Sequence, residues 1–240
     1  MNDSLVVNEI YLSIQGESTF SGLPCVFIRL TGCNLRCSYC DTVYAFKEGK
    51  RMPITEILEE VQRLVAPYPV SVKPTVELTG GEPLLQHNSP QLVSALLDNE
   101  FQVLIETSGA HDIRKVSDKA HRIMDIKCPS SGEMGRMLWE NLDHLTNRDE
   151  LKFVIGSRED YQWASELIVK RELIGRCELL FSWVSPLSED QKDDCLKNIP
   201  KGHTPISRME LVDQIIADAL PVRFQLQMHK FVWNPEERGR

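Results

Sequence analysis

The chain has no excess of positive charge, no long apolar run and no even complement of cysteines. Its 240 residues carry 27 Lys and Arg against 35 Asp and Glu, a net charge of −8 at pH 7. That balance excludes a general binder of nucleic acid or of an anionic membrane surface. No stretch stays apolar over the roughly 20 residues that a bilayer-spanning helix needs. The opening Met1-Asn2-Asp3-Ser4 lacks the basic segment followed by an apolar one that marks an export signal, so a cytoplasmic location is expected. No internal repeat or low-complexity segment occurs. Seven cysteines cannot all pair, which favours ligand thiols over a disulfide framework. The length suits a single domain over residues 1–240 with a sizeable core.

What is present is concentrated first in Thr31-Gly32-Cys33-Asn34-Leu35-Arg36-Cys37-Ser38-Tyr39-Cys40-Asp41-Thr42, within a loop at 31–45. Three cysteines sit within eight positions, spaced C-x3-C-x2-C. Thiolates are soft ligands that suit zinc, copper(I) or iron–sulfur clusters. A structural zinc site wants four ligands, and an ordinary four-iron cluster wants four cysteines. The next cysteine is Cys128, far along the chain. The simplest cluster that Cys33, Cys37 and Cys40 hold is therefore a [4Fe-4S] cube with one iron open to a ligand.

The rest of the chain alternates strand and helix signals. Strands are expected over Leu5–Ile14, Cys25–Leu30, Pro74–Leu78, Gln102–Glu106, Arg122–Ile126, Glu150–Ile155, Cys177–Trp183 and Val222–Met228. Helices are expected over Pro53–Val65, near Pro90–Asn99, near Met137–Leu145, and over Asp160–Glu172 and Leu211–Leu220. This alternation implies βαβ units and a parallel sheet. It fits an α/β barrel, or an open part of one, with its active site at the carboxyl ends of the strands. Five chemically notable segments fall at those ends: the cysteine loop, Thr79-Gly80-Gly81-Glu82-Pro83, Glu106-Thr107-Ser108, Asp125-Ile126-Lys127 and Gln227-Met228-His229-Lys230. Arg29 is the odd member of an apolar strand. A cation there either snorkels to the surface or meets a buried anion.

The cysteine spacing, with aromatic Tyr39 just before Cys40, resembles the signature of the radical S-adenosylmethionine (SAM) enzymes. In that superfamily the open iron is chelated by SAM, and an electron from the reduced cluster cleaves it to a 5′-deoxyadenosyl radical. Gly80-Gly81-Glu82 resembles the superfamily's "GGE" motif, which holds the SAM amino group. Glu106 resembles the acidic residue that meets the SAM ribose, a role suited to a carboxylate. A trimmed, partial (β/α)6-type barrel is the fold this implies.

Within the superfamily, Gln15-Gly16-Glu17, Arg29, the cysteine loop ending Asp41-Thr42, Leu78 to Leu84, and Gln227 to Phe231 resemble the 7-carboxy-7-deazaguanine synthase family, over about Asn8 to Pro235. The resemblance implies a carbon–nitrogen lyase of queuosine and 7-deazapurine biosynthesis. Its substrate is 6-carboxy-5,6,7,8-tetrahydropterin, and it uses SAM and magnesium. Ile14, Gln15, Gly16, Glu17, Thr79, His229 and Pro235 match the substrate-binding set, and Arg29 matches the partner of the substrate carboxylate. Tyr39, Gly81, Glu82, Glu106, Asp125, Ile126 and Lys127 match the SAM-binding set, with Ser182 or Ser185 as a further contact. Asp125-Ile126-Lys127 stands where many members have Ser-Pro-Lys. Thr42 matches a hydroxyl ligand of Mg2+, which takes few protein oxygens. The resemblance also implies a short substrate-binding tail over residues 227–240. A homodimer and a low-potential electron donor, flavodoxin or ferredoxin, are also implied. Two other readings share parts of the pattern: a radical SAM activase of glycyl-radical enzymes, and a non-catalytic zinc-binding module.

Overall fold

The structure, a computed structural model, describes residues 3–234 and 237–239. Its centre is a nine-stranded sheet. The chain enters through β1 (Ser4–Ile14) and returns antiparallel through β2 (Pro24–Leu30). A short β3 (Lys50–Pro53) pairs with the outer side of β1. From β2 onward every neighbour is parallel: β4 (Thr75–Gly80), β5 (Val103–Thr107), β6 (His121–Ile126), β7 (Glu150–Ile155), β8 (Glu178–Trp183) and β9 (Arg223–Gln225). The spatial order is β3-β1-β2-β4-β5-β6-β7-β8-β9, so the sheet curls without closing.

Helices cover one face of the sheet. α1 (Ile54–Val65) buries Ile57, Val61 and Val65 against Val26, Ile28, Val76 and Leu78. α2 (Ser89–Asp98) extends that core with Leu92, Val93 and Leu96. α3 (Arg158–Lys170) and α4 (Arg208–Ala217) cover the other half, packing Ala164, Ile168, Leu211 and Ile215 near Leu151, Phe153 and Phe181. Both start at serine capping boxes, Ser157 with Asp160 and Ser207 with Glu210. A last short helix, α5, spans His229–Val232. Among the described residues, no helix is long and apolar enough to cross a membrane.

Side chains alternate across a strand, and this parity places the polar residues. Val76 and Leu78, or Leu151 and Phe153, face the helices. Their neighbours Glu77, Thr79, Lys152 and Val154 therefore face the inside of the curl, where all four line one cleft. Below them, Cys25, Phe27 and Leu104 close the interior with Tyr11 and Phe20. The loop after β1 crosses the side that the strands leave open. There Ser18 exchanges hydrogen bonds with Gln225, and Thr19 N donates to Glu150 at 3.0 Å.

Three details differ from the sequence expectation. No α-helix forms near Met137–Leu145; 3-10 turns span Met134–Arg136 and Trp139–His144. The Asn141 side chain instead ties that segment to Gly109, His111 and Ile113, which replaces the regular helical ladder. β3 carried no strand signal of its own. β9 is only three residues long and stands at the edge of the sheet, paired with β8 alone.

Candidate active site

A cavity of about 410 Å³ opens at the carboxyl ends of the parallel strands. The cysteine loop forms one wall of it. Leu35 is buried as an anchor, and the loop is strapped from behind by the turn after β6. Ser38 N donates to Ser131 O at 3.1 Å, Ser38 Oγ to Ser130 O at 2.7 Å, and Arg36 N to Glu133 at 2.7 Å. Cys33, Cys37 and Cys40 all reach the cavity, whereas Cys128 is fully buried in the core. Burial pushes the Cys37 thiol up to about 11 and the Cys40 thiol to about 12. Such thiols ionise when metal takes the charge. Three thiols that line the cavity, with Cys128 buried away from it, are the donor set of a cube with one open iron.

The turn after β4 presses on this loop. Glu82 N donates to Gly32 O at 2.8 Å. A Cβ at Gly81 would lie 2.4 Å from Gly32 O and 2.8 Å from the Cys33 Cβ, so only glycine permits the approach. The Glu82 carboxylate itself is fully buried. It accepts from Leu84 N at 2.9 Å, Thr107 Oγ1 at 2.9 Å and Ser108 N at 2.7 Å. Glu82 therefore shapes the turn, and the Gly80–Gly81 backbone faces the cavity. Ile126 likewise points into the core, leaving its main chain to the site.

Two buried polar atoms on the SAM-expected side have no partner, Asp125 Oδ1 and the Tyr39 hydroxyl. Buried polar atoms are ordinarily satisfied, so an acceptor and a hydroxyl stand ready for a bound polar molecule. The other Asp125 oxygen accepts from Lys127 Nζ at 2.7 Å.

Opposite lies the N-terminal segment. Glu17 N donates to the Gln15 side-chain oxygen at 2.7 Å, which orients the amide to donate from Nε2 to Glu77. Glu17 accepts from Lys152 Nζ at 2.9 Å and from Ser182 Oγ at 3.3 Å. Lys152 also donates to Glu106. Burial works against the Lys152 charge, but Glu106, Glu17 and Asp125 outweigh it and hold its pKa well above the ordinary value. His229 packs on Gly16, where a Cβ would sit 2.3 Å from its Nδ1. Burial lowers its pKa, against the pull of Glu17 and Asp41. Thr42 Oγ1 donates to Asp41 at 2.8 Å, and Asp41 pairs with Lys230.

The cavity thus gathers Ile14, Gln15, Gly16, Glu17, Arg29, Thr79 and His229 with Tyr39, Gly81, Glu106, Asp125, Lys127, Ser182, Thr42 and the three cysteines. Pro235 lies outside the described residues. Sequence reasoning missed Lys152, Glu77 and the Asp41–Lys230 pair. The signal that singled out Arg29, a charge inside an apolar strand, was equally present in Val76-Glu77-Leu78 and Leu151-Lys152-Phe153.

A curled, mostly parallel sheet with three cysteines at its carboxyl edge defines a radical SAM enzyme, and the radical SAM superfamily model matches residues 27–126. The chain is 42% identical over 234 residues to the 7-carboxy-7-deazaguanine synthase of Koribacter versatilis, covering 97% of this chain and 99% of that one. It is 41% identical to the enzyme of that name from Chlorobaculum tepidum, covering 98% and 97%. The chain belongs to the 7-carboxy-7-deazaguanine synthase family. Its fold is similar to that of QueE from Escherichia coli, with a TM-score of 0.69 at 22% identity over 94% of this chain and 95% of that one. It is more distantly similar to Streptococcus suis SuiB bound to S-adenosylmethionine, at a TM-score of 0.53 and 12% identity over 82% of this chain and 48% of that one.

Proposed function

We propose that the chain converts 6-carboxy-5,6,7,8-tetrahydropterin to 7-carboxy-7-deazaguanine and ammonia, as a SAM- and magnesium-dependent carbon–nitrogen lyase. The observation that carries this reading is the convergence in one cavity of the three cysteines with the Ile14–Glu17 segment, Arg29 and His229. A superfamily match alone would require only the first. The [4Fe-4S] cluster and SAM, when bound, supply the radical that removes and returns a substrate hydrogen.

The chain's own residues bind, orient and exclude water. Cys33, Cys37 and Cys40 would hold the cluster. The Gly80–Gly81 backbone, Tyr39, Glu106, Asp125, the Ile126 main chain, Lys127 and Ser182 would surround SAM, with Glu106 accepting from the ribose hydroxyls. Gln15, Gly16, Glu17, Thr79 and His229 would hold the pterin. Glu17 offers an acceptor to the donor-rich edge of the ring, and Arg29 faces the carboxylate. The Thr42 hydroxyl would join magnesium to oxygens of substrate and water, the hard donors that this ion prefers. Asp41 is held below the usual carboxylate range because Lys230 outweighs its burial, so anionic charge stands beside that hydroxyl at neutral pH. The family resemblance extends the proposal to a homodimer and to a flavodoxin or ferredoxin as electron donor.

The test is anaerobic turnover of the tetrahydropterin with SAM, dithionite and magnesium. Formation of the deazaguanine with one ammonia per turnover is expected, and Thr42→Ala should blunt the magnesium response without loss of SAM binding. SAM cleavage with no pterin consumed would overturn the substrate assignment.

A further inference from the structure

Lys152 has no place in the roles assigned above, yet it is the most enclosed cation in the cavity wall, with its side chain 5% exposed. It stands at the centre of β7 between two fully buried core residues, Leu151 and Phe153. A buried ammonium is costly unless its donors are met by anions. Here they are met from opposite sides. Glu17 arrives on the loop after β1, and Glu106 arrives from β5, two strands away. One carboxylate faces the pterin side and the other the SAM side.

We propose that Lys152 is a positioning residue that holds Glu17 and Glu106 together as an anionic pair, and so couples the pterin side of the cavity to the SAM side. The inference rests on the reading of those two carboxylates given under Proposed function. Both ligand edges present hydrogen-bond donors, the ribose hydroxyls and the ring N–H groups, so each carboxyl serves best when ionised. Two carboxyls this close oppose each other's ionisation. Their surroundings add to the difficulty. Glu77 on β4 and Asp125 on β6 are further acids. Lys127 is engaged by Asp125, Arg29 by Glu9, and His229 stands near Glu17 and Asp41. Among the described residues, Lys152 alone contacts both members of the pair. Glu17 lies below its ordinary value because Lys152 outweighs burial, whereas burial and the Glu17 charge raise Glu106. Removing the ammonium lets both rise.

The probe for the SAM side is 5′-deoxyadenosine, which carries the ribose hydroxyls and nothing that chelates the open iron. Its affinity for reconstituted wild type, Lys152→Met and Glu17→Gln is measured from about pH 5.5 to 9, together with cluster absorbance and far-UV circular dichroism. In Lys152→Met the pH at which affinity is half lost should move up by roughly 1–3 units, and alkali should restore binding. The pterin KM should rise at neutral pH and recover on the same alkaline side. Glu17→Gln keeps Lys152 and removes one negative charge, so its half-loss pH should move down. This second variant reads the coupling even where Lys152→Met does not fold. A Lys152→Met protein with cluster and fold intact that binds as the wild type does, or that loses affinity equally at every pH, overturns the proposal. So does an unmoved half-loss pH in Glu17→Gln. Failure of the wild type to consume the pterin would instead overturn the substrate assignment and leave the 5′-deoxyadenosine result readable.

Discussion

The Arg29 guanidinium donates from Nε to Glu9 at 2.8 Å, across the β1–β2 register that sets the two residues opposite one another. The cation in this apolar strand is therefore already compensated before any ligand arrives. A second arm of the fork reaches the Tyr11 hydroxyl at 3.1 Å, and the remaining donor lies at a longer 3.5 Å from Gly80 O. That long contact is the one a substrate carboxylate would replace. Arg29→Lys keeps the charge and loses the planar fork. It should lower kcat/KM for the tetrahydropterin about ten- to a hundredfold, the equivalent of one charge-assisted hydrogen bond worth roughly 1.5–3 kcal/mol. SAM affinity measured without pterin should not change. An unaltered kcat/KM would reduce Arg29 to a structural partner of Glu9.

Gly16 and His229 make a second contact that a substitution can probe. Met228 N donates to Gly16 O at 2.9 Å, which brings the start of α5 onto the loop after β1. A Cβ at position 16 would meet His229 Nδ1 at 2.3 Å and its backbone N at 3.2 Å. The imidazole cannot keep its place and the backbone contact is tight, so the His229 ring must turn or α5 must shift. Gly16→Ala should cost about 1–3 kcal/mol of strain, read as a raised pterin KM with cluster absorbance unchanged. If KM holds, His229 is not positioned by this contact.

The sheet and the position of its site were legible in the sequence because buried parallel strands read as short apolar runs. Motifs at strand ends then fall on one side of the sheet by construction. The expected strands from Cys25–Leu30 through Cys177–Trp183 were found with small shifts at their ends. What was not legible was the pairing of charged side chains far apart in the chain. Glu17 with Lys152 and Asp41 with Lys230 depend on the curl of the sheet, which no local pattern encodes, and Arg29 with Glu9 depends on the register between β1 and β2. Glu82 illustrates the converse. Its motif was visible, but only the packing shows that its carboxylate is occupied by Leu84, Thr107 and Ser108. Cys195 stands beside apolar Leu196 yet is exposed, because the segment that holds it has no regular structure around it.

Cys37 and Cys128 separate ligand from core. Both are buried, yet Cys37 reaches the cavity and Cys128 packs among Ile126, Phe153 and their neighbours. Cys37→Ala should give colourless protein after anaerobic reconstitution. Cys128→Ala should keep the visible absorbance of the cluster and lose only stability, about 1 kcal/mol for a group near the size of a buried methylene. That loss is about 2–4 °C in Tm for a chain of this size. Loss of colour in Cys128→Ala would make Cys128 a fourth ligand and close the open iron.

Glu77 stands at the centre of β4 with 1% of its surface exposed. Its carboxyl is pushed well above the usual carboxylate range, first by burial and then by the Glu106 charge. In the unfolded chain it ionises near pH ~4.3. Between that pH and its raised folded midpoint, the native state keeps a proton that the unfolded state has released. Stability therefore falls as pH rises through this window. Glu77→Gln has the same length, still offers an oxygen to the Gln15 amide, and has no proton to keep. The two proteins should be about equally stable near pH ~4. The variant should then gain on the wild type as pH rises toward neutrality, by up to ~1.4 kcal/mol for each pH unit of the window. Thermal unfolding of both reconstituted proteins by circular dichroism, at mildly acidic and neutral pH, reads the difference as about 2–4 °C per kcal/mol. A variant that is instead less stable at neutral pH would mean that Glu77 is ionised in the folded protein and shares the Lys152 ammonium with Glu17 and Glu106.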